Sequence, residues 1–164
     1  MIKAILAVDS KGGIGRDGTL PWPSDREDMT WFRKNTTGHA VIMGRSTWDD
    51  PLFPKPLPNR VNYVLSTRND IESATVLTFT DIRADILALS KSIESDLWII
   101  GGATVFNSTL TLASEIYLTQ FHDDYHCTTT LDIEMLLRGY SLRYTRESTN
   151  KTFRIYDAII PRST

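Results

Sequence analysis

The chain has 164 residues, the usual size of one domain, and its 41% hydrophobic and 23% charged residues are the proportions of an ordinary folded protein rather than a disordered or fibrous one. Eighteen Lys and Arg against twenty Asp and Glu give a net charge of -2, without the basic excess that a nucleic-acid partner requires. The single cysteine, Cys127, cannot form an internal disulfide, no charged-then-apolar leader opens at Met1, and no apolar run approaches the ~20 residues of a membrane span; a cytoplasmic monomer with a small-molecule partner, and without nucleic-acid or membrane partners, is expected.

The first predicted element is a strand, Ile2 to Val8, apolar and β-branched. Asp9 through Pro23 follows as a long loop with glycines at 12, 13, 15 and 18, ending in Leu20-Pro21-Trp22. Loops of this length without secondary structure often serve as lids over sites. Ser24 and Glu27 then match the S-x-x-E capping box, which predicts a helix from about Asp25 through Lys34. At about 100° per residue, Met29, Trp31 and Phe32 share one arc, and Arg26, Glu27, Thr30, Arg33 and Lys34 share the other. Asp28 falls inside the apolar arc, between Trp31 and Phe32. A carboxylate there loses hydration, which raises its pKa unless donors or a cation meet it. On this pattern alone two readings stand with equal weight: an acid satisfied by the protein's own donors, or one that binds a ligand.

The next strand, Ala40 to Met43, runs into Gly44-Arg45-Ser46-Thr47-Trp48, a strand-glycine-helix junction whose guanidinium and hydroxyls suit phosphate oxygens. The proline-rich stretch from Pro51 to Pro58 is too short for a domain linker. Leu57-Pro58-Asn59-Arg60 places an arginine at the start of the strand Arg60 to Leu65, where its fork could hold a carboxylate or simply be solvated. Ala74 to Phe79 is another strand, and after Asp81 the residues Ile82, Ile86, Leu89 and Ile93 recur at helical spacing. Leu97 to Ile100 is a buried strand that ends in Gly101-Gly102 before a helix beginning Ala103-Thr104-Val105-Phe106. The free amides of a helix start attract phosphate, although a lone Gly-Gly also serves a plain tight turn. Strands Glu115 to Phe121 and Thr152 to Ile160 complete the series.

Helices alternate with strands early and strands dominate late, which predicts an α/β fold: a mostly parallel sheet with an antiparallel C-terminal hairpin, in a single domain over residues 1–164. Ligands of such sheets bind beyond the carboxyl ends of the strands, so a dinucleotide could bridge the two glycine junctions. His39, His122 and His126 share no metal-ligand spacing with Cys127 or with carboxylates, so no metal is expected. No nucleophile elbow is present either, which argues against an esterase.

Taken together, Ala7-Val8-Asp9, Ile14-Gly15, Leu20-Pro21-Trp22, Asp28 with Trp31-Phe32, Val41-Ile42-Met43-Gly44-Arg45 with Thr47-Trp48, Leu57-Pro58-Asn59-Arg60, Leu65-Ser66, Ile100-Gly101-Gly102 and Tyr117-Leu118-Thr119 resemble the dihydrofolate reductase family, from Ile2 to about Ile160 and in the family's order. The resemblance implies a central sheet of about eight strands flanked by about four helices, NADPH as cofactor, and reduction of dihydrofolate to tetrahydrofolate, with antifolates as inhibitors. It places Asp28 on the 2-amino group and N3 of the pterin, with Thr119 in the same network and Leu20 and Trp22 from the lid completing the catalytic group. Hydride transfer to C6 accompanies protonation at N5. Ile5, Ala7, Ile100 and Phe106 line the pterin and nicotinamide; Phe32, Leu52 and Leu57 flank the aminobenzoyl ring; Arg60 holds the α-carboxylate of the glutamate tail. Around the cofactor it implies Ile14 and Gly15 at the nicotinamide, Gly44, Ser46, Thr47, Gly101, Gly102, Ala103, Thr104 and Val105 near the pyrophosphate, and Arg45, Leu65, Ser66, Thr67 and Arg68 near the 2′-phosphate.

Four departures from the family stand out. Phe106 replaces a frequent tyrosine, Thr104 replaces an arginine found in some relatives, Asp49 to Lys55 is longer than in compact bacterial members, and Cys127 lies in a loop that often has glycine. Two other functions compatible with this fold are a pyrimidine reductase of riboflavin biosynthesis and a binding protein that has lost catalysis.

Overall fold

In the computed structural model, residues 1–16, 20–68, 70–72, 74–77 and 80–161 are described. The elements are β1 (Ile2–Val8), β2 (Gly13–Gly15), α1 (Arg26–Thr36), β3 (Ala40–Gly44), α2 (Arg45–Asp49), β4 (Val61–Leu65), β5 (Thr75–Leu77), α3 (Ile82–Ser92), β6 (Leu97–Gly101), α4 (Ala103–Thr109), a 3-10 turn at Leu110–Leu112, β7 (Glu115–Phe121), β8 (Thr129–Thr130), α5 (Ile133–Leu136), β9 (Tyr140–Glu147) and β10 (Lys151–Ala158). Among the described residues eight of these strands form one sheet in the order β5-β4-β3-β6-β1-β7-β10-β9. Every neighbouring pair is parallel until β10, which lies antiparallel to β7 and to β9.

Side chains of adjacent strand residues point to opposite faces, and β1 shows the result. Ile2, Ala4, Leu6 and Val8 enter one core with Ile42, Ile99, Ile116, Leu118 and Ile86 of α3, whereas Ile5 enters a second core with Val41, Met43, Val64 and Trp98. Trp31 and Phe32 of α1 pack against this second core. The chain winds from β1 outward to β5 and then returns to insert β6 between β3 and β1. The carboxyl ends of β1, β3 and β6 therefore meet where the winding reverses, the position at which open α/β sheets bind ligands.

Several expected boundaries are corrected. The helix expected from Asp25 through Lys34 runs Arg26–Thr36, and its cap is Asp25 rather than Ser24: the Asp28 N–H donates to Asp25 Oδ1 at 2.9 Å. Ser24 Oγ instead donates to Met29 Sδ at 3.1 Å, and Glu27 is drawn away by Arg146, Ser148 and Lys151. A carboxylate cap satisfies the amide and meets the positive end of the helix dipole as well. Met29, assigned to the apolar arc, is 58% exposed, because it stands at the edge of the arc that Trp31 and Phe32 bury. The last strand ends at Ala158 rather than Ile160, and Ile159 and Ile160 face solvent. Ile93 forms the C-terminal cap of α3 rather than part of it. The strand expected over Ala74 to Phe79 is described as Thr75–Leu77, and residues 78–79 lie outside the described set. β9, the outer strand of the hairpin, is exposed at every residue after Tyr140, so it lacks the buried alternation by which the other strands are read.

Candidate active site

Helix α1 lies on the sheet so that Asp28 faces β7. Burial pushes the Asp28 carboxyl up to about 6, against the hydrogen bond from Thr119, which favours ionisation. Thr119 is buried and stands in register with Ala7 of β1 and Phe153 of β10. The Trp31 ring lies 4.8 Å from Phe153 and 5.8 Å from Tyr117, which fastens α1 to β10 and β7. Ile5, Phe32 and Ile100 share this core, and Ala7, two residues beyond Ile5, shares its face. The acid, Thr119, Ile5, Ala7, Phe32 and Ile100 are thus brought to one face of the sheet.

The two glycine junctions interlock. A Cβ on Gly44 would stand 3.0 Å from Val105 Cγ2, and one on Gly101 or on Gly102 would stand 3.3 Å from Thr47 Oγ1. Gly101 also has φ +138°, a conformation L side chains rarely adopt. Asp25, Asp81 and Asp132 cap α1, α3 and α5 with their side chains, but Gly44 and Gly102 leave the first turns of α2 and α4 without a side-chain cap. Free amides and the Ser46 and Thr47 hydroxyls therefore line one cradle suited to an anion. Val105, Phe106 and Leu65 back this region from the core, each at least 95% buried. Phe106 supports Gly101 from beneath, 3.6 Å from the Cβ position.

Arg45 is less free than expected. Its Nε donates to both oxygens of Asp49 at 3.0 Å, and its Nη1 donates to Asp70 at 2.7 Å and to Ser66 Oγ at 3.4 Å. The Arg68 N–H also donates to Ser66 Oγ, at 3.1 Å. Ala103 is half-buried, and Thr67 and Thr104 are exposed.

On the other side of α1, Arg60 sits just before β4 rather than in it. Its Nη1 donates to Thr36 Oγ1 at 3.0 Å, its Nε to the Pro58 carbonyl at 2.9 Å, and its guanidinium lies 5.8 Å from the Phe32 ring centre. Among the described residues no carboxylate pairs with it, and burial together with neighbouring Arg33 lowers its pKa. Leu57 is buried, fastened at its N–H and carbonyl by the Asn62 side chain at 2.9 and 3.0 Å. Leu52 is 76% exposed, and Phe53 packs with its ring 6.2 Å from that of Trp48.

The Asp9 to Pro23 loop is not devoid of structure, as β2 pairs with β8. Gly18 lies outside the described residues. Ile14 packs on the core, Gly15 is half-buried, and Trp22 stacks on Phe121 at 4.7 Å; Leu20 is 59% exposed. Sequence reasoning missed the anchor of this loop. Asp9 is fully buried and accepts from the N–H groups of Lys11, Gly13 and Tyr125 at 2.9, 2.8 and 2.9 Å, and from Cys127 Sγ at 3.3 Å. Burial works against its charge, but the bonds from Tyr125, Gly13 and Lys11 outweigh it and hold the carboxyl below its ordinary value. A polar residue just after a strand reads as an ordinary turn, so no local signal marks it.

A family model described as dihydrofolate reductase matches residues 1–156. The chain is 38% identical over 121 residues to a dihydrofolate reductase of Mycobacterium leprae, covering 73% of this chain and 72% of that protein. It is 34% identical over 125 residues to one of Bacillus subtilis, covering 76% and 71%. Its fold superposes with a TM-score of 0.84 and 26% identity, over 96% of each chain, on a solved dihydrofolate reductase from Enterococcus faecalis complexed with NADP(H) and RAB-propyl. With the buried acid, the glycine cradle and the reversal of the sheet all in place, the chain belongs to the dihydrofolate reductase family.

Proposed function

We propose that this chain reduces 7,8-dihydrofolate to 5,6,7,8-tetrahydrofolate with NADPH, in the site between α1, the carboxyl ends of β1 and β6, and β7. The observation that carries the proposal is Asp28: a carboxyl raised to about 6 by burial, beside Thr119, on the face of a helix that otherwise buries aromatic rings. Such an acid suits a flat, basic heterocycle that can donate two hydrogen bonds to it. Asp28 holds the 2-amino group and N3 of the pterin, and Thr119 fixes the carboxylate that accepts them. With its pKa near neutrality Asp28 also favours the protonated ring, which promotes protonation at N5. Ile5, Ala7 and Ile100 give the ring an apolar floor, Phe32, Leu57 and Phe53 enclose the aminobenzoyl group, and Arg60, without a carboxylate partner among the described residues, takes the tail carboxylate.

The residues at the glycine cradle fit NADPH. Uncapped first turns, two hydroxyls and glycines at which a Cβ would be crowded suit a pyrophosphate, and Arg45, Ser66, Thr67 and Arg68 surround the place of the 2′-phosphate. When bound, NADPH supplies the hydride for pterin C6. Ile14, Gly15, Leu20 and Trp22 form the lid that keeps water from the reacting atoms. The proposal extends to a cytoplasmic monomer inhibited by antifolates; among the described residues no helix is long and apolar enough to cross a membrane.

The test is oxidation of NADPH, followed by its absorbance, on addition of dihydrofolate. The native protein is expected to turn over and Asp28→Asn to lose activity by roughly two orders of magnitude or more at neutral pH. A native protein that oxidises no NADPH with dihydrofolate would overturn the proposal.

A further inference from the structure

Lys151 opens β10 and is only 3% exposed. Its ammonium lies 3.1 Å from Asp25 Oδ2, 3.0 Å from Glu27 Oε1 and 2.6 Å from Asn150 Oδ1. It also stands over the rings of Phe121 and Phe153, at 5.9 and 6.0 Å. Glu27 is bound further by Arg146 of β9 at 2.9 Å and by Ser148 at 2.6 Å. The other oxygen of Asp25 accepts the backbone N–H of Asp28. A single carboxylate therefore joins the buried ammonium to the main chain of the acid. Phe121 and Phe153, which flank the ammonium, also carry Trp22 of the lid at 4.7 Å and Trp31 of α1 at 4.8 Å.

Stability alone is a poor reason for this arrangement, because a buried ion pair seldom outdoes well-packed apolar residues of the same volume. What a charged lysine supplies here, and an apolar side chain would not, is a fixed direction for Asp25 and hence for the first turn of α1. We propose that Lys151 is a positioning residue for the reaction: acting through Asp25, it seats the start of α1 on the sheet and so sets Asp28 against Thr119. The inference rests on the reading of Asp28 as the acid that binds the pterin.

The charges around Asp28 come from three elements. Asp25 and Glu27 belong to the N-terminal end of α1, Lys151 comes from β10, and Arg146 of β9 acts on the group through Glu27; Thr119 of β7 is uncharged. Lys151→Met removes the cation and, among the described residues, leaves Asp25 without an ion pair and Glu27 with Arg146 alone, so Asp28 should hold its proton to higher pH. Glu27→Gln removes an anion while Asp25 stays gripped, so Asp28 should release its proton at lower pH. Charge alone would move the midpoint in both variants; loss of the seating of α1 would in addition lower kcat in Lys151→Met and not in Glu27→Gln, where Asp25 stays gripped.

The experiment is a carbon-13 NMR titration of the Asp28 carboxyl in the free full-length protein, run beside steady-state kinetics. In Lys151→Met the midpoint should rise by roughly half a pH unit or more, with a severalfold fall in kcat at neutral pH and the KM for NADPH within about twofold of native. Lys151→Arg should restore both, and Glu27→Gln should shift the midpoint downward. A folded Lys151→Met with an unmoved midpoint and native kinetics would overturn the proposal. If that variant does not fold, Lys151→Gln, which keeps a donor for Asp25 without the charge, decides it, and an unmoved midpoint with native kinetics there overturns the proposal equally. Absence of dihydrofolate turnover in the native protein is a failure of the functional reading; normal turnover with an Asp28 indifferent to Lys151 is a failure of this one.

Discussion

Asp28 holds a proton more tightly in the folded chain than the ordinary carboxyl value of 3.8 allows, since burial lifts it to about 6. The sign of the resulting linkage is fixed. Stability is fully present below 3.8, is lost as pH rises from there through about 6, and stays lower above that. Asp28→Asn has the same shape without the charge, so it should stabilise the protein at pH 7 by about 1–3 kcal/mol and hardly at all at pH 4. Urea unfolding at the two pH values checks this, and equal stabilisation at both would show that burial does not penalise the carboxylate. Arg45 carries a second residue-scale consequence. Its 2.7 Å contact with Asp70 competes for the guanidinium assigned to the 2′-phosphate and places a like charge beside that phosphate. Asp70→Asn should raise the ratio of kcat/KM for NADPH over NADH by roughly two- to fivefold, a surface pair being worth no more than about 1 kcal/mol. A ratio that stays constant or falls would show that Asp70 does not govern this corner.

At the scale of elements, the lid is tied to the loop after β7 by Asp9, with β2 paired to β8 just beyond. Asp9→Ala would leave three inward-pointing amides without their acceptor, at a cost of about 2–4 kcal/mol. It should also raise the KM for NADPH, because Ile14 and Gly15 follow directly on this anchor; an unchanged KM in the folded variant would separate the anchor from the lid's function. Cys127 reports the same junction, since burial and its bond to Asp9 push its thiol up to about 11. Alkylation by iodoacetamide at pH 8 should be slow in the native protein and faster in Asp9→Asn, in which the neighbouring anion is gone. None of these links was legible beforehand. The β2 and β8 pairing is too short to carry a period, Asp9 resembles any turn residue, and Lys151 in the turn after Asn150 resembles a solvated lysine. The helix wheel did place Asp28 correctly, because an acid between Trp31 and Phe32 contradicts its surroundings within a single turn.

Across the whole molecule, the parallel sheet was legible from seven apolar runs with helices between them, and the resemblance supplied the strand count. The insertion of β6 between β3 and β1 was not, since strand order depends on pairing between distant segments rather than on local pattern. That insertion brings Gly101 and Gly102 against Gly44 and sets the cradle at the same reversal of the sheet as the carboxyl end of β1, so the geometry of the site belongs to the topology as much as to the residues. The most direct test of the central claim is hydride transfer in a single turnover, measured across pH for the native protein and Asp28→Asn with saturating NADPH and dihydrofolate. If Asp28 promotes protonation at N5, the native rate should decline as pH rises above about 6, by up to roughly tenfold per unit. Asp28→Asn should be slower at pH 7 by roughly two orders of magnitude and lack that limb. A variant that transfers hydride at the native rate at pH 7, with the same dependence on pH, would contradict it.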